Sequence, residues 1–421
     1  MKFRKLLLAG LLLATSAITA EEYSGYSLEE ATDFRQQWTI DNWDEGGPLM
    51  RYVFLNMSEF WNHSIIDRGG NVRELPEALR SEIANFITTT VRGEMTLDDY
   101  VKDSTVDGAL VLHKGRIVYE SYPRMLPDDK HLYMSVSKPF ASTLIAILED
   151  RELIDVNKPI ESYLPKLAGS GWEGVPVIDI LDMASGIGCL EGEEGAYSDP
   201  DTCYYHYEAS LGWLGATEKT MDSPFDYIAS LESHRPSGEA FEYTSPDTFI
   251  LGWLIEQISG RTLADLLSEE IWQKMGAASD AIIAAPRHGV PIIHGGMSST
   301  LRDMVRFGLL FTPTGREGMS PVISDSYLEK IQSGGRPKIF NVARVDTPRI
   351  VDGEPARHNS YQWDFVMEDG DFGKSGYGGQ GLYISPSRDL VVAFFGTFDE
   401  NRKNHEMIQI ARQLAKSGLF D

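Results

Sequence analysis

Positive charge is scarce in this chain: 38 Lys and Arg stand against 63 Asp and Glu, a formal net charge of −25 at pH 7. That balance argues against nucleic acid and anionic membrane surfaces as partners. Long apolar runs are missing as well. Beyond the first twenty residues, no segment approaches the roughly eighteen uninterrupted apolar residues of a membrane span, so the mature chain reads as soluble. The nine histidines are scattered, and neither H-E-x-x-H nor C-x-x-C occurs, so the sequence implies no metal and no organic cofactor. The G-x-S-x-G nucleophile elbow is absent, which sets aside an α/β-hydrolase. There is no internal repeat and no low-complexity tract. Only two cysteines occur, Cys189 and Cys203. In an exported protein they can close a loop worth about 3 kcal/mol; as unrelated thiols they would contribute nothing.

What is present begins with an export signal over residues 1–20. Lys2, Arg4 and Lys5 form the positive start, residues 6–14 the short apolar run, and Ala20 the last small residue before Glu21-Glu22. No cysteine follows to carry a lipid, so the expected location is periplasmic or secreted. Removing the signal leaves roughly 400 residues, enough for one large or two closely packed domains.

Residues 21–104 read as an N-terminal extension of helices and loops, with a helix over 79–92. A hairpin follows, 108–113 and 116–120 around Lys114-Gly115. From Ser135 a helix runs to about Arg151, with Phe140, Leu144, Ile147 and Leu148 on one face. The region 153–290 is mainly helical, including 225–232, 248–260 and 263–275, and further helices are expected at 303–312 and 325–331. Strands are expected at 361–368, 379–384 and 390–395, and a closing helix within 401–421. Strands near both ends with helices between predict an α+β sandwich. Its antiparallel sheet is built from N- and C-terminal segments over 105–400, flanked by helices, with a mainly helical insert at about 153–290.

The chemistry concentrates in Ser135-Val136-Ser137-Lys138 at the start of a helix. Residues three apart share a helix face, so hydroxyl and amine project side by side. A serine hydroxyl is a poor nucleophile until a base takes its proton, and a lysine serves as that base when burial lowers its pKa. Tyr243, just before the 248–260 helix, supplies a phenol able to relay protons. A packed surface tyrosine is the bland alternative, since the chain has eighteen. The run Lys374-Ser375-Gly376-Tyr377-Gly378-Gly379-Gln380-Gly381 leads into a strand, where small residues let backbone approach a substrate carbonyl; a plain glycine-rich hairpin entry is the alternative. The stretch 295–300 reads as a loop and helix cap.

These residues resemble the serine β-lactamase and penicillin-recognising superfamily, with its S-x-x-K and K-T-G boxes. Within it they are most similar to the class C-like branch, and there to the 6-aminohexanoate-dimer hydrolases and related carboxylesterases. The likeness spans roughly 105–400. It rests on the opening hairpin, on Ser135-Val136-Ser137-Lys138, on 180–187, on Tyr243 nine residues before Gly252, and on 295–308. The resemblance implies that Ser135 is acylated, that Lys138 activates it, and that Tyr243 shuttles a proton to the leaving group. The oxyanion hole would be the backbone N–H groups of Ser135 and Gln380. Ser245 stands where class C β-lactamases carry Asn. The third box aligns either as Lys374-Ser375-Gly376 or, at a better distance from the strand and Pro386, as Tyr377-Gly378-Gly379. The second is favoured, and it makes Ser245, Tyr377, Gly378 and Gly379 substrate-binding residues.

The sequence therefore points to an exported serine hydrolase that cleaves a small-molecule ester or linear amide through a Ser135 acyl-enzyme. The acidic, Tyr-rich stretch 189–213 near the pocket favours a cationic or amine-bearing substrate. A β-lactamase or D-alanyl peptidase is the enzymatic alternative, and a non-catalytic binding protein on the same fold is the other. The sequence leaves the oligomeric state open.

Overall fold

The computed structural model describes residues 23–317, 322–341 and 350–421; the expected export signal lies outside the described residues. The helix Leu28–Gln37 begins at a capping box, in which Ser27 and Glu30 each bond the other's backbone N–H. Pro48 opens the next helix, Gly47–Leu55, at a position where proline has no hydrogen bond to lose. Both helices fit the expected extension, but the extension also supplies a strand, β1 (His63–Ile66). The helix expected over 79–92 is reduced to the single turn Ser81–Ala84. After it come β2 (Ile87–Thr90) and β3 (Gly93–Thr96), paired antiparallel. The run Ile87-Thr88-Thr89-Thr90-Val91 is β-branched throughout, and such side chains are stiff at χ1 and fit a pleated surface better than a helix.

β4 (Val106–His113) and β5 (Arg116–Ser121) form the expected hairpin. Lys114 and Gly115 turn with φ of 49° and 71°, the positive values a two-residue hairpin loop demands. The short β6 (His131–Leu132) leads through a 3₁₀ turn, Met134–Ser137, into the helix Lys138–Asp150. Helices then dominate as expected, including Cys203–Leu211, Pro224–Ala229 and Ser245–Ser259. Within this region lies β7 (Ala281–Ala284), followed by β8 (Met297–Ser299) and the helix Leu301–Leu309. The C-terminal part contains β9 (Ile350–Val351), β10 (Glu354–Pro355), β11 (His358–Ser360), β12 (Trp363–Val366), β13 (Phe372–Gly376), β14 (Gln380–Ser385) and β15 (Leu390–Gly396). The helix Met407–Ala415 follows.

Seven strands make the main sheet, in the order β11-β12-β13-β14-β15-β4-β5. Every ladder in it is antiparallel. The N-terminal hairpin thus joins the C-terminal strands through β15 and β4, which is the expected α+β arrangement. Helices cover both faces. Phe140 stacks on Phe307 at 3.8 Å on one side, and Tyr100, Ile410 and Leu414 pack with Val111 and Val392 on the other. Buried on both faces, β14 and β15 have no solvent side to place polar residues on, hence the unbroken run Leu390-Val391-Val392-Ala393-Phe394-Phe395. A second sheet, β1-β7-β8-β6, was not foreseen. It ties the extension to the helical insert and holds β6, the strand that enters the Ser135 turn. Among the described residues, no helix is long and apolar enough to cross a membrane.

One buried charge fastens the extension to the sheet. Asp107 on β4 accepts from Arg51 Nε at 2.8 Å and from His131 Nε2 at 3.2 Å. Burial alone would raise its carboxyl, but the His131 hydrogen bond and the Arg51 charge outweigh it and lower the net value. A depressed carboxyl stabilises the fold above its unfolded pKa and loses that contribution as pH falls through the folded value. Asp107→Ala should therefore cost about 3 kcal/mol or more at neutral pH. Urea unfolding should show the gap from wild type closing under acid; a gap independent of pH would contradict this account.

Candidate active site

Met134 has φ 47°, the left-handed region that costs a non-glycine residue about 1–3 kcal/mol and clusters at functional sites. The turn it makes brings Ser135, half-buried, to the front of the Lys138–Asp150 helix. The nucleophile candidate thus sits in the 3₁₀ turn just ahead of the α-helix rather than inside it. Lys138 is fully buried. Its Nζ reaches Ser135 Oγ at 3.2 Å, Ser245 Oγ at 2.7 Å and the His294 carbonyl at 3.1 Å. Burial pulls its pKa down to about 8, partly offset by the nearby Glu191 carboxylate and reinforced by Lys374. An uncharged amine in this cage would donate its two protons to Ser245 and His294. Its lone pair would then face the Ser135 hydroxyl.

Tyr243 stands on the other side of the serine. Burial first, then Asp364 and Glu191, hold its phenol well above the usual tyrosine value, while Ser135 is close enough to ease its ionisation. It is therefore a proton donor at neutral pH. Lys374 on β13 donates to the Tyr243 hydroxyl at 2.9 Å, to Asp364 Oδ1 at 2.5 Å and to the Ser375 carbonyl at 3.1 Å. Burial lowers Lys374 as well. Lys374-Ser375-Gly376 thus lies beside the phenol, whereas the Tyr377 ring of the favoured alignment turns toward Asp44.

Gly376 must be glycine because a Cβ there would lie 2.6 Å from the Tyr133 carbonyl. This close approach brings the end of β13 against the Ser135 turn.

The other members of the favoured alignment face elsewhere. Tyr377 donates to the Asp44 carbonyl at 3.2 Å and lies near the Tyr197 ring, 6.1 Å between centroids. A Cβ on Gly378 would strike Met50 and Phe54, and one on Gly379 would strike Asn404 and His405. These glycines make room for neighbouring chain, not for substrate. Gln380 opposes Gly376 across the β13–β14 turn. Its side-chain amide bonds Gly396 N and O on the next strand.

Two contributors were missed by sequence reasoning. His294 enters through its backbone carbonyl, a contact that residue type does not encode. Glu191 lies two residues beyond Cys189, in the stretch singled out only for its acidity. Cys189 and Cys203 are joined by a disulfide.

A serine bonded to a buried lysine, with a phenol alongside on a helix-covered antiparallel sheet, is the arrangement of a serine hydrolase. The Beta-lactamase family model matches residues 96–416, and the chain belongs to that family. A curated relative, the 6-aminohexanoate-dimer hydrolase of Paenarthrobacter ureafaciens, is 27% identical over 368 residues, 87% of this chain and 90% of the relative. Among solved structures, a putative 6-aminohexanoate-dimer hydrolase from Bacillus anthracis has a TM-score of 0.76 at 23% identity, covering 91% of this chain and 96% of its own. A β-lactamase/D-alanine carboxypeptidase from Yersinia pestis has a TM-score of 0.59 at 17% identity, covering 76% and 96%.

Proposed function

We propose that this protein is an exported hydrolase of linear amides or esters working through a Ser135 acyl-enzyme. The observation that carries the reading is the Lys138 cage, which leaves one direction open on the amine, toward Ser135. In acylation the Ser135 oxygen bonds the substrate carbonyl carbon and its proton passes to Lys138. Collapse of the tetrahedral adduct breaks the bond to the leaving nitrogen or oxygen, which takes a proton from Tyr243. Lys374 steadies the phenolate, and Lys138 restores the Tyr243 proton. Water then repeats the steps on the acyl-enzyme.

One oxyanion donor is the Ser135 N–H. For the second we assign the N–H of Tyr377 in place of Gln380. The Ser375 N–H leaves β13 on the open side, where it meets Asp364 Oδ2 at 2.8 Å. Strand alternation places the N–H two residues on toward that same side, whereas Gln380 belongs to the β14 partner of Gly376.

The substrate reading follows from charge. Lys374 gives its three protons to Asp364, Tyr243 and Ser375, so it offers none to a substrate carboxylate. Glu191 and Glu208 set negative charge near Lys138, which favours a cationic or amine-bearing acyl donor over an anionic one. The name of the Paenarthrobacter relative supports a linear amide of that type. A β-lactamase or D-alanyl peptidase is the second reading, favoured by the K-S-G box in place, but it needs a free cation for the substrate carboxylate. The Cys189–Cys203 disulfide fits an oxidising compartment.

Purified protein should hydrolyse p-nitrophenyl butyrate and the linear 6-aminohexanoate dimer, while nitrocefin turns over about 10–100-fold less efficiently, a single lost charged contact being worth that much. Nitrocefin as the best substrate, or stable labelling by a fluorescent penicillin, would put the second reading first.

A further inference from the structure

The loop closed by the disulfide does more than border the pocket. Glu191 Oε1 accepts from the Ser245 hydroxyl, the same hydroxyl that accepts from Lys138 Nζ at 2.7 Å. The carboxylate lies 3.9 Å from that Nζ. Its other oxygen accepts from Tyr197 of the same loop at 2.9 Å. The Cys189 carbonyl accepts from the Thr244 hydroxyl, so the loop is stitched to the segment between Tyr243 and Ser245. At the far end, the Cys203 carbonyl accepts from Tyr227 OH at 2.7 Å.

Resting on the acyl-enzyme reading above, we propose that Glu191 is a positioning residue. Acting through the Ser245 hydroxyl, it aims Lys138 at Ser135 and supplies the charge that stabilises the ammonium formed when Lys138 takes the Ser135 proton. The Cys189–Cys203 disulfide is the tether that keeps it there. Glu191 itself stays ionised throughout: Lys138 gains the proton, Ser135 loses it, and the carboxylate only answers the new positive charge. A carboxylate in a site of low dielectric does this strongly because little water screens it.

The surroundings determine the sign of the effect. Lys138 is faced by Glu191 from the loop, Glu208 from the Cys203–Leu211 helix, Asp364 from β12 and Lys374 from β13. Glu191 in turn faces Lys138 and His294 and receives hydrogen bonds from Ser245 and Tyr197. The buried phenols of Tyr197, Tyr204, Tyr207 and Tyr243 stay protonated, burial holding each well above the usual tyrosine value. Burial alone would raise the Glu191 carboxyl, but Lys138 and its hydrogen bonds win and lower it. After burial, Glu191 is the largest influence on Lys138, and it favours the ammonium. Removing its charge therefore makes Lys138 release its proton at lower pH.

The test is the pH dependence of kcat/KM for p-nitrophenyl butyrate with the mature, oxidised enzyme and its variants. Wild type should rise through a midpoint near about 8, the value of Lys138. Glu191→Gln should move that midpoint down by about 1–3 pH units, the range for an opposite charge within 4–6 Å, and lower the plateau at least tenfold. Glu191→Asp keeps the charge and should keep the wild-type midpoint while the plateau falls. The double variant Cys189→Ser/Cys203→Ser should move the midpoint in the same direction as Glu191→Gln, and it serves as the readout if Glu191→Gln does not fold. A lowered plateau with an unmoved midpoint in Glu191→Gln would mean a merely structural role and would overturn the inference. An unmoved midpoint in the cysteine variant would overturn the tether. A wild-type enzyme that a fluorophosphonate cannot label at Ser135 would instead remove the reading on which the inference rests.

Discussion

Ser135→Ala should abolish turnover of every substrate, lowering kcat by about a millionfold, the loss seen when a nucleophile is removed from a covalent hydrolase. The size follows from what the serine contributes. Without its oxygen no acyl-enzyme forms, and the two-step route that replaces one difficult displacement is closed. The other hydroxyl on Lys138, that of Ser245, is buried and donates to Glu191, so it does not take the acyl group. The remaining rate would come from binding and the oxyanion donors alone. Exposure to a fluorophosphonate gives the cleanest readout. Attack by the Ser135 oxygen forms an O–P bond and expels fluoride, leaving one stable adduct visible in the intact mass. Wild type should gain one adduct, and Ser135→Ala none. The substitution should leave stability nearly unchanged, because Ser135 is half-buried and Lys138, which donates to its Oγ at 3.2 Å, keeps its bonds to Ser245 and His294. An adduct of equal stoichiometry on the alanine variant would place the nucleophile elsewhere and sink the assignment.

Much of this arrangement was legible before any coordinates. The β4–β5 hairpin announced itself through two apolar runs around Lys-Gly, and β15 through six consecutive apolar residues. Ser135, Lys138 and Tyr243 stood out because their chemistry is cooperative, so each raised the weight of the others. What escaped has a physical pattern. β13, Phe372-Gly373-Lys374-Ser375-Gly376, reads as a polar, glycine-rich turn because its lysine is buried by pairing with Asp364 rather than by apolar character. Composition alone gives no sign of such a partner. For the third box, distance along the chain favoured Tyr377, while the contact that places Lys374 beside Tyr243 depends on Asp364, ten residues earlier. β1 and β7 were missed because each is four residues long and gains its stability from pairing with the other across more than two hundred positions. His294 contributes a carbonyl, which every residue has. Glu191 was visible only as one acid among several, since its position depends on the disulfide that folds its loop back onto Ser245.

Lys138 should show the conflict between activity and stability most plainly. Lys138→Met keeps the length of the side chain but removes the base, and kcat/KM should fall by about 10³-fold or more, within the range for a general base. Its effect on stability should show in the pH dependence. A lysine whose folded pKa lies below its unfolded value binds its proton less tightly in the native state. The unfolded chain then carries more protons between the two values, and stability rises with pH across that window. For Lys138 the window runs from about 8 up to 10.5, the ordinary lysine value. Relative to Lys138→Met, wild type should therefore gain stability as pH is raised through it, by about 3 kcal/mol at most. Lys138→Met has no proton to lose at this position and should lack that gain across the window; at neutral pH its stability balances the removed buried ammonium against a Glu191 carboxylate left without its partner. Chemical denaturation of both proteins at neutral and alkaline pH measures this directly. A wild-type curve that runs parallel to that of the methionine variant across the window would show that Lys138 is not held against its preference for water. The cage of Ser245, His294 and Ser135 would then be stabilising an ordinary ammonium, and the base of the reaction would have to be sought at Tyr243.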